Sequence, residues 1–363
     1  MEELLCTGCT PHGASLLFKK IVGDHAWSKK IVEEAVKVAK FFKNHTFTAA
    51  EIRRRSTEAS GKSLAVILHG QTRIAGLYYV LKRLEDLRGY MREICVSDGW
   101  DERYASSASA EKARSVKAIV ANGTSWSKVA SLRKHMKPLK SFIRLTDSNC
   151  HTTEHVYPGM VTVEEHWSAN AYAVPAPFRT FSLREHKTRF EWMLFPIHYA
   201  TYACSPRYHS DNVFGLPKVM RGTRDIIRHF SHSTDNFNRA MAQFTAFKNA
   251  VLPAESLSDE FLNSSTSREW WQTFGSPWSD LQSILIRAYS VGTASSASER
   301  NFSTWDHIWG NKRSCLTFER AHKLVYCHFN LRALQELRNP LPREGNGVIP
   351  ASWLDDRIAE GEG

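Results

Sequence analysis

Apolar residues recur at helical spacing along most of this chain, and that period excludes a sheet-based fold. Ile31, Ala35, Val38 and Phe42 fall at i, i+4, i+7 and i+11, one face of a helix for which Ser28 is the expected N-cap. Leu77, Leu81, Leu84, Met91 and Ile94 mark a second helix from about Gly76. Helical patterns return around Arg184 to Ala203, and again at Phe237, Met241, Phe244 and Val251. The strand candidate is Leu64 to His69, and one short strand does not make a self-sufficient sheet. The small residues from Ala105 to Ala110 read as a loop leading into a helix. Pro138 is expected to break the helix before it. Residues 169–180, with Pro175 and Pro177, read as a connecting loop, and Pro253 to Ser258 as a domain boundary. The expected fold class is mainly α.

The 363 residues suffice for two or three domains with their own cores. A net charge of +11 attracts polyanions, of which nucleic acid is the commonest. Basic residues gather at Arg53-Arg54-Arg55, at Arg133 to Lys137 and at Lys312-Arg313. Seven cysteines, odd in number and mostly isolated, do not form a secreted disulfide framework and point to a reducing, intracellular compartment. The start Met1-Glu2-Glu3 is acidic where a signal peptide is basic. No apolar run approaches the roughly 20 residues that cross a bilayer, so no membrane partner is expected. A phosphate-binding glycine loop and a G-x-S-x-G elbow are both missing, and no nucleotide cofactor is expected.

The segment Ser267 to Leu334 is the most organised. Ser276-Pro277 reads as a helix start, followed by the stripe Leu281, Ile284, Leu285 and Ala288. Ser296-Ala297-Ser298-Glu299 fits a capping box. Phe302, Trp305 and Trp309 follow on one face, then Ala321, Leu324, Val325 and Leu331. Each short helix carries more apolar surface than it can bury alone. These helices must pack on one another, on upstream helices, or on a second copy.

Trp270-Trp271, the amphipathic stretch, the element Ser298-Glu299-Arg300-Asn301-Phe302-Ser303, the basic turn and a last helix ending in Asn330-Leu331-Arg332 resemble, in this order, the C-terminal dimerisation region of hAT-superfamily transposases. More weakly, Cys9-Thr10-Pro11-His12 resembles the family's C-x-x-H element. Thr72-Arg73-Ile74 resembles its Thr-Arg-aromatic element, with Ile74 where the aromatic belongs. The resemblance implies an RNase H-like remnant over 1–75, a helical insertion domain over 76–252, a dimerisation region over 259–337 and a flexible tail over 338–363. It implies self-association through Trp270, Trp271, Leu281, Leu285, Phe302, Trp305, Leu324, Val325 and Leu331. Glu299 resembles the last member of an Asp-Asp-Glu triad, which holds two divalent metals such as Mg in intact relatives. The family's two aspartates precede its C-x-x-H element, whereas the eight residues before Cys9 contain no Asp. An incomplete triad, a structural role for Glu299 and no resident cofactor are therefore expected.

The expected function is dimerisation of a catalytically inactive, transposase-derived protein, located in the nucleus. One alternative is a DNA-binding regulator or partner of a full-length hAT transposase, with Arg73, Arg300, Lys312 and Arg313 meeting phosphates. The other is a fragment of an active transposase. Two metal-like motifs stand beside these. Cys6, Cys9 and His12 offer up to three zinc ligands. His151-Thr152-Thr153-Glu154-His155 fits the inverted zincin pattern H-x-x-E-H of a metalloprotease, whose histidines share one face only on an α-helix.

Overall fold

Capping side chains, glycine and proline cut a chain of helical propensity into short helices. The computed structural model describes residues 5, 7–68, 75–105, 107–147, 151–169, 173–209, 212–309 and 316–338. Among these residues every regular element is helical and no strand occurs. Among the described residues, those within 12–143 and 160–192 form one compact unit, and those within 5–11, 144–159 and 193–338 form the other.

The first unit is built on α1 (Thr10–Asp24), α2 (Ala26–Asn44), α3 (Thr46–Ser60), α4 (Gly76–Cys95), α5 (Asp98–Tyr104), α6 (Ala110–Ala121), α7 (Gly123–Thr146), α8 (Val156–Ser168) and α9 (Ala176–Met193). The expected core residues of α2 and α4 are all buried. Helix α2 packs on α3, α4 and α6. The cap of α2 is not Ser28. His25 caps it, its Nδ1 accepting from Trp27 N at 3.2 Å, while Ser28 lies one turn inside and donates to Ile21 O at 2.8 Å. Gly61 ends α3 at φ 70°, a left-handed conformation that a side chain would strain.

Three further expectations are corrected here. Residues 64–68 are not a strand. Their backbone is partnered by side chains instead: Leu64 N donates to Ser56 Oγ at 2.9 Å, and Ala65 O accepts from Arg83 Nη1 at 3.3 Å. His69 lies outside the described residues. Pro138 does not break α7, which runs through it with Leu132, Met136, Leu139, Phe142 and Ile143 buried. Burying each such side chain stabilises by about 1.5–3 kcal/mol, which together exceeds the roughly 3 kcal/mol that an interior proline costs. Residues 176–180 are not loop but the first turn of α9. There Pro177 needs no N–H partner, because first-turn amides have none within the helix.

Helices α7, α8 and α9 meet in a cluster of rings, His135, Trp167, Phe178 and His186. The His135 ring lies flat on Trp167, with centroids 4.9 Å apart at 9°. Trp167 Nε1 donates to His135 O at 2.6 Å, and His135 Nε2 lies 3.1 Å from Ser182 Oγ. Burial pushes the His135 imidazole down to about 3 and that of His186 to about 4.

The second unit holds α10 (Pro196–Ala203), α11 (Pro217–Phe230), α12 (Thr234–Lys248), α13 (Asp259–Ser264), α14 (Ser267–Phe274), α15 (Ser279–Ala288), α16 (Ser296–Trp309) and α17 (Phe318–Arg338). Helix α12 ends at Lys248, so Val251 lies beyond it and is exposed. The helix expected from Ser276-Pro277 opens as a single 3-10 turn, with α15 starting at Ser279. Ser256 is buried, and residues on both sides of 253–258 share one hydrophobic core. Helices α10 and α11 pack closely because Gly222 has no side chain. A Cβ there would sit 2.8 Å from Tyr199 Cβ.

Both histidines are held neutral in the fold, so the unfolded chain binds more protons below the ordinary imidazole value. Their stabilisation is complete above pH 6.5 and is lost as pH falls toward 4 and 3. Unfolding free energy measured in urea is expected to drop by about 1.4 kcal/mol per pH unit for each such group below that value. His135→Gln is expected to flatten the slope, and an unchanged slope would refute the assignment.

Candidate functional site

The C-terminal helices divide into an interior half and an exposed half. Helix α14 starts on a capping box that sequence inspection missed, although Thr266-Ser267-Arg268-Glu269 carries its signature. Glu269 N donates to Thr266 Oγ1 at 3.2 Å, and Thr266 N donates to Glu269 Oε2 at 2.8 Å. The box fixes the entry of an eight-residue helix that buries Trp270 and Trp271. Trp271 Nε1 donates to Cys204 O at 2.8 Å, and its ring lies 4.9 Å from that of Phe247. Helix α15 adds Leu281, Ile284, Leu285 and Ala288, all buried in the same core as α10, α11 and α12. Trp270, Trp271, Leu281 and Leu285, expected to make a self-association surface, are therefore packed inside this unit.

The exposed half is the helical hairpin of α16 and α17. Its own core is small: Ile308, Ala321 and Val325, with Trp305 and Leu316 packed against them. Trp305 lies 5.3 Å from Phe318 and 6.3 Å from Trp309, centroid to centroid. Phe302, Trp309, Phe318, Leu324, Tyr326, Phe329, Leu331 and Leu334 stay exposed. Only five other large hydrophobic side chains are exposed among the described residues, and those are scattered. The hairpin is thus the concentrated apolar surface of the chain. On α17, Leu324, Cys327, Leu331 and Leu334 follow a 3-4-3 spacing on one face, the spacing of a coiled-coil seam. Ala321 and Val325 occupy a different face, toward α16. Of the expected association residues, Phe302, Leu324 and Leu331 are exposed, Trp305 is half-buried and Val325 is buried in the hairpin. Trp309, Phe318, Tyr326, Phe329 and Leu334 were not singled out as association residues, although the leucine spacing was readable.

The backbone of Glu299 and Arg300 lies in the first turns of α16, and their side chains fall outside the described residues. Arg73, Lys312, Arg313, Cys6 and Thr72 to Ile74 also lie outside them. Ser295 N donates to Cys9 Sγ at 3.4 Å, and His12 is an exposed residue of α1. A residue overlooked in the sequence ties this neighbourhood together. Thr293 O accepts from Thr10 N at 2.9 Å, and Thr293 Oγ1 lies 3.1 Å from Thr146 O and 2.7 Å from Thr152 Oγ1.

The H-x-x-E-H residues do not share one α-helix. Thr153 to His155 form a single 3-10 turn before α8, and His151 precedes it. Glu154 is fully buried and accepts from Ser267 Oγ, which also lies 3.2 Å from Ser205 Oγ. His155 Nε2 stands 3.5 Å from Glu154 Oε1, and its Nδ1 lies 2.7 Å from Tyr208 OH. Burial pushes the Glu154 carboxyl above its usual range and the His155 imidazole down to about 3, so both are favoured in the neutral form. These side chains bond to protein groups, and no group of three or more His, Cys, Asp or Glu placed to hold a metal occurs among the described residues.

Residues 252–331 match the model of the hAT family C-terminal dimerisation region. The matched segment covers 80 of the 363 residues, and that segment is what resembles a dimerisation region. No curated protein matches the chain. No helix among the described residues is long and apolar enough to cross a membrane.

Trp271→Ala is expected to lower stability by about 3–5 kcal/mol through loss of packing. Gly222→Ala should cost about 1–3 kcal/mol by forcing α10 from α11. Urea unfolding of the two variants measures both, and a change under 0.5 kcal/mol in either would contradict the close packing described.

Proposed function

We propose that this protein works by forming a homodimer through the exposed α16–α17 hairpin, with the α17 leucines as the seam. The observation that carries this is the gathering of exposed apolar side chains within the matched region. Helix α14 and the leucines of α15 support the reading indirectly, by anchoring the region to the core. A half-exposed leucine or aromatic ring has roughly 1 kcal/mol of burial still to gain. Association costs on the order of 4–15 kcal/mol. The three leucines from two chains supply roughly 6 kcal/mol, inside that range, and Tyr326 and Phe329, each two residues from a seam leucine, lie on the opposite side of α17. Glu299 adds no catalytic role to this reading, since one carboxylate does not anchor two divalent ions.

A second reading, a DNA-binding partner of a longer hAT transposase, is favoured by the net charge of +11. Arg73, Arg300, Lys312 and Arg313 are its candidate phosphate contacts, and it places the protein in the nucleus. Duplex binding that weakens steeply with added salt would support it.

Sedimentation equilibrium at micromolar concentration is expected to give a dimer. The double substitution Leu324→Asp with Leu331→Asp is expected to weaken it about 100-fold or more, because burying unpaired carboxylates is costly. Helix content by circular dichroism should stay near that of the parent, since both side chains are exposed. A parent chain that stays monomeric throughout would overturn the proposal. Two-fold pairing along the seam also brings the exposed Cys327 of each chain close to the other. A short bis-maleimide is expected to join two chains, and Cys327→Ser to abolish the product.

A further inference from the structure

The α16–α17 hairpin changes character along its length. At one end Ile308, Ala321 and Val325 close the seam between the helices. Continuing along α17 in the same register, at i+7 and i+11 from Ala321, the next two positions are His328 and Arg332. There the seam opens into a cleft of about 310 Å³, lined by Ser303, Thr304, His307 and Ile308 of α16 and by His328 and Arg332 of α17. A seam between packed helices is ordinarily filled by apolar side chains. Here two hydroxyls, two imidazoles and a guanidinium converge on an open space, with Ile308 as the one apolar wall. Among the described residues no carboxylate lines the cleft, and Arg332 makes no ion pair with any of them. Its planar fork of N–H donors matches two oxygens of a tetrahedral anion. Hydroxyls and imidazoles supply further donors to the remaining oxygens.

We propose that this cleft is a binding site for a phosphate-class oxyanion, held by Arg332, His307 and His328 with the Ser303 and Thr304 hydroxyls. Free phosphate and a DNA backbone present the same chemistry to the cleft. The site adjoins the dimer seam without sharing its residues: Leu324 precedes His328 by one turn of α17, whereas Leu334 lies across the helix from Arg332.

The test titrates inorganic phosphate into the full chain while following the imidazole resonances of His307 and His328. Both are expected to shift and saturate together. Arg332→Gln should weaken binding about tenfold or more, the loss typical of a charged hydrogen-bonding partner, and Arg332→Lys should fall between, keeping charge but losing the fork. Resonances that do not move, or an Arg332→Gln variant that titrates like the parent, would overturn the site. A labelled duplex separates the sources. If phosphate competes with the duplex and Arg332→Gln weakens duplex binding with a salt slope lower by about one, the site takes the DNA backbone. If Arg332→Gln abolishes phosphate binding and leaves duplex binding unchanged, the site takes free phosphate. Arg332→Gln is expected to sediment as the parent does, and Leu334→Asp, across the helix from Arg332, to keep its phosphate titration, so failure of this site and failure of the dimer are told apart.

Discussion

Burial of the Trp270–Trp271 pair is the interaction on which the second unit depends. Two adjacent indoles enter the core here: Cys204 O accepts the Trp271 N–H at 2.8 Å, while the Trp270 N–H is buried with no hydrogen-bond partner and is carried by packing. Around this pair gather Phe247, Trp278 and the inward face of α15. The Thr266–Glu269 capping box sets where α14 begins, and so which way both rings face. With α14 and α15 committed to the core, the hairpin of α16 and α17 is what the matched region leaves exposed. The division of labour inside the region, anchor first and surface second, follows from that burial.

Hydrogen bonding also accompanies the burial of two other polar clusters. Glu154 and His155 lie inside because Ser267 and Tyr208 bond to them and because low polarity favours their neutral forms. His135 is buried in the other unit against Trp167 and Ser182. A sequence pattern that fits a metal-binding helix thus belongs here to a hydrogen-bonded 3-10 turn. The chemistry of the residue types was suited to either use. The turn geometry of 153–155, not the composition of the motif, separates the two.

Much of the fold was legible in the sequence where periodicity was long and unbroken. The apolar sets on α2, α4 and α15 are all buried as their spacing indicates. Local signals fared worse wherever a nonlocal partner outweighed them. Ser28 had the composition of a cap, but its hydroxyl bonds back to Ile21 O. Pro138 had the composition of a breaker, but sits in a helix whose apolar side chains are buried on both sides of it. Residues 64–68 had strand composition, but no second strand occurs among the described residues to pair with them. Of the nine residues marked for association, Phe302, Leu324 and Leu331 are exposed, as are Trp309, Phe318, Tyr326, Phe329 and Leu334, which were not marked.

By itself the sequence determined the helical class, the apolar face of each long helix, the basic charge and the kinship of residues 252–331 with a dimerisation region. Only the tertiary structure decided which of those apolar faces are already covered. The reason is physical. Periodicity is a property of one helix and states that a face avoids water, whereas the element that covers the face is set by packing between residues far apart in the chain. Trp271 and Leu331 are both apolar residues in the same matched region. One is held under Phe247 and Cys204, and the other stays exposed.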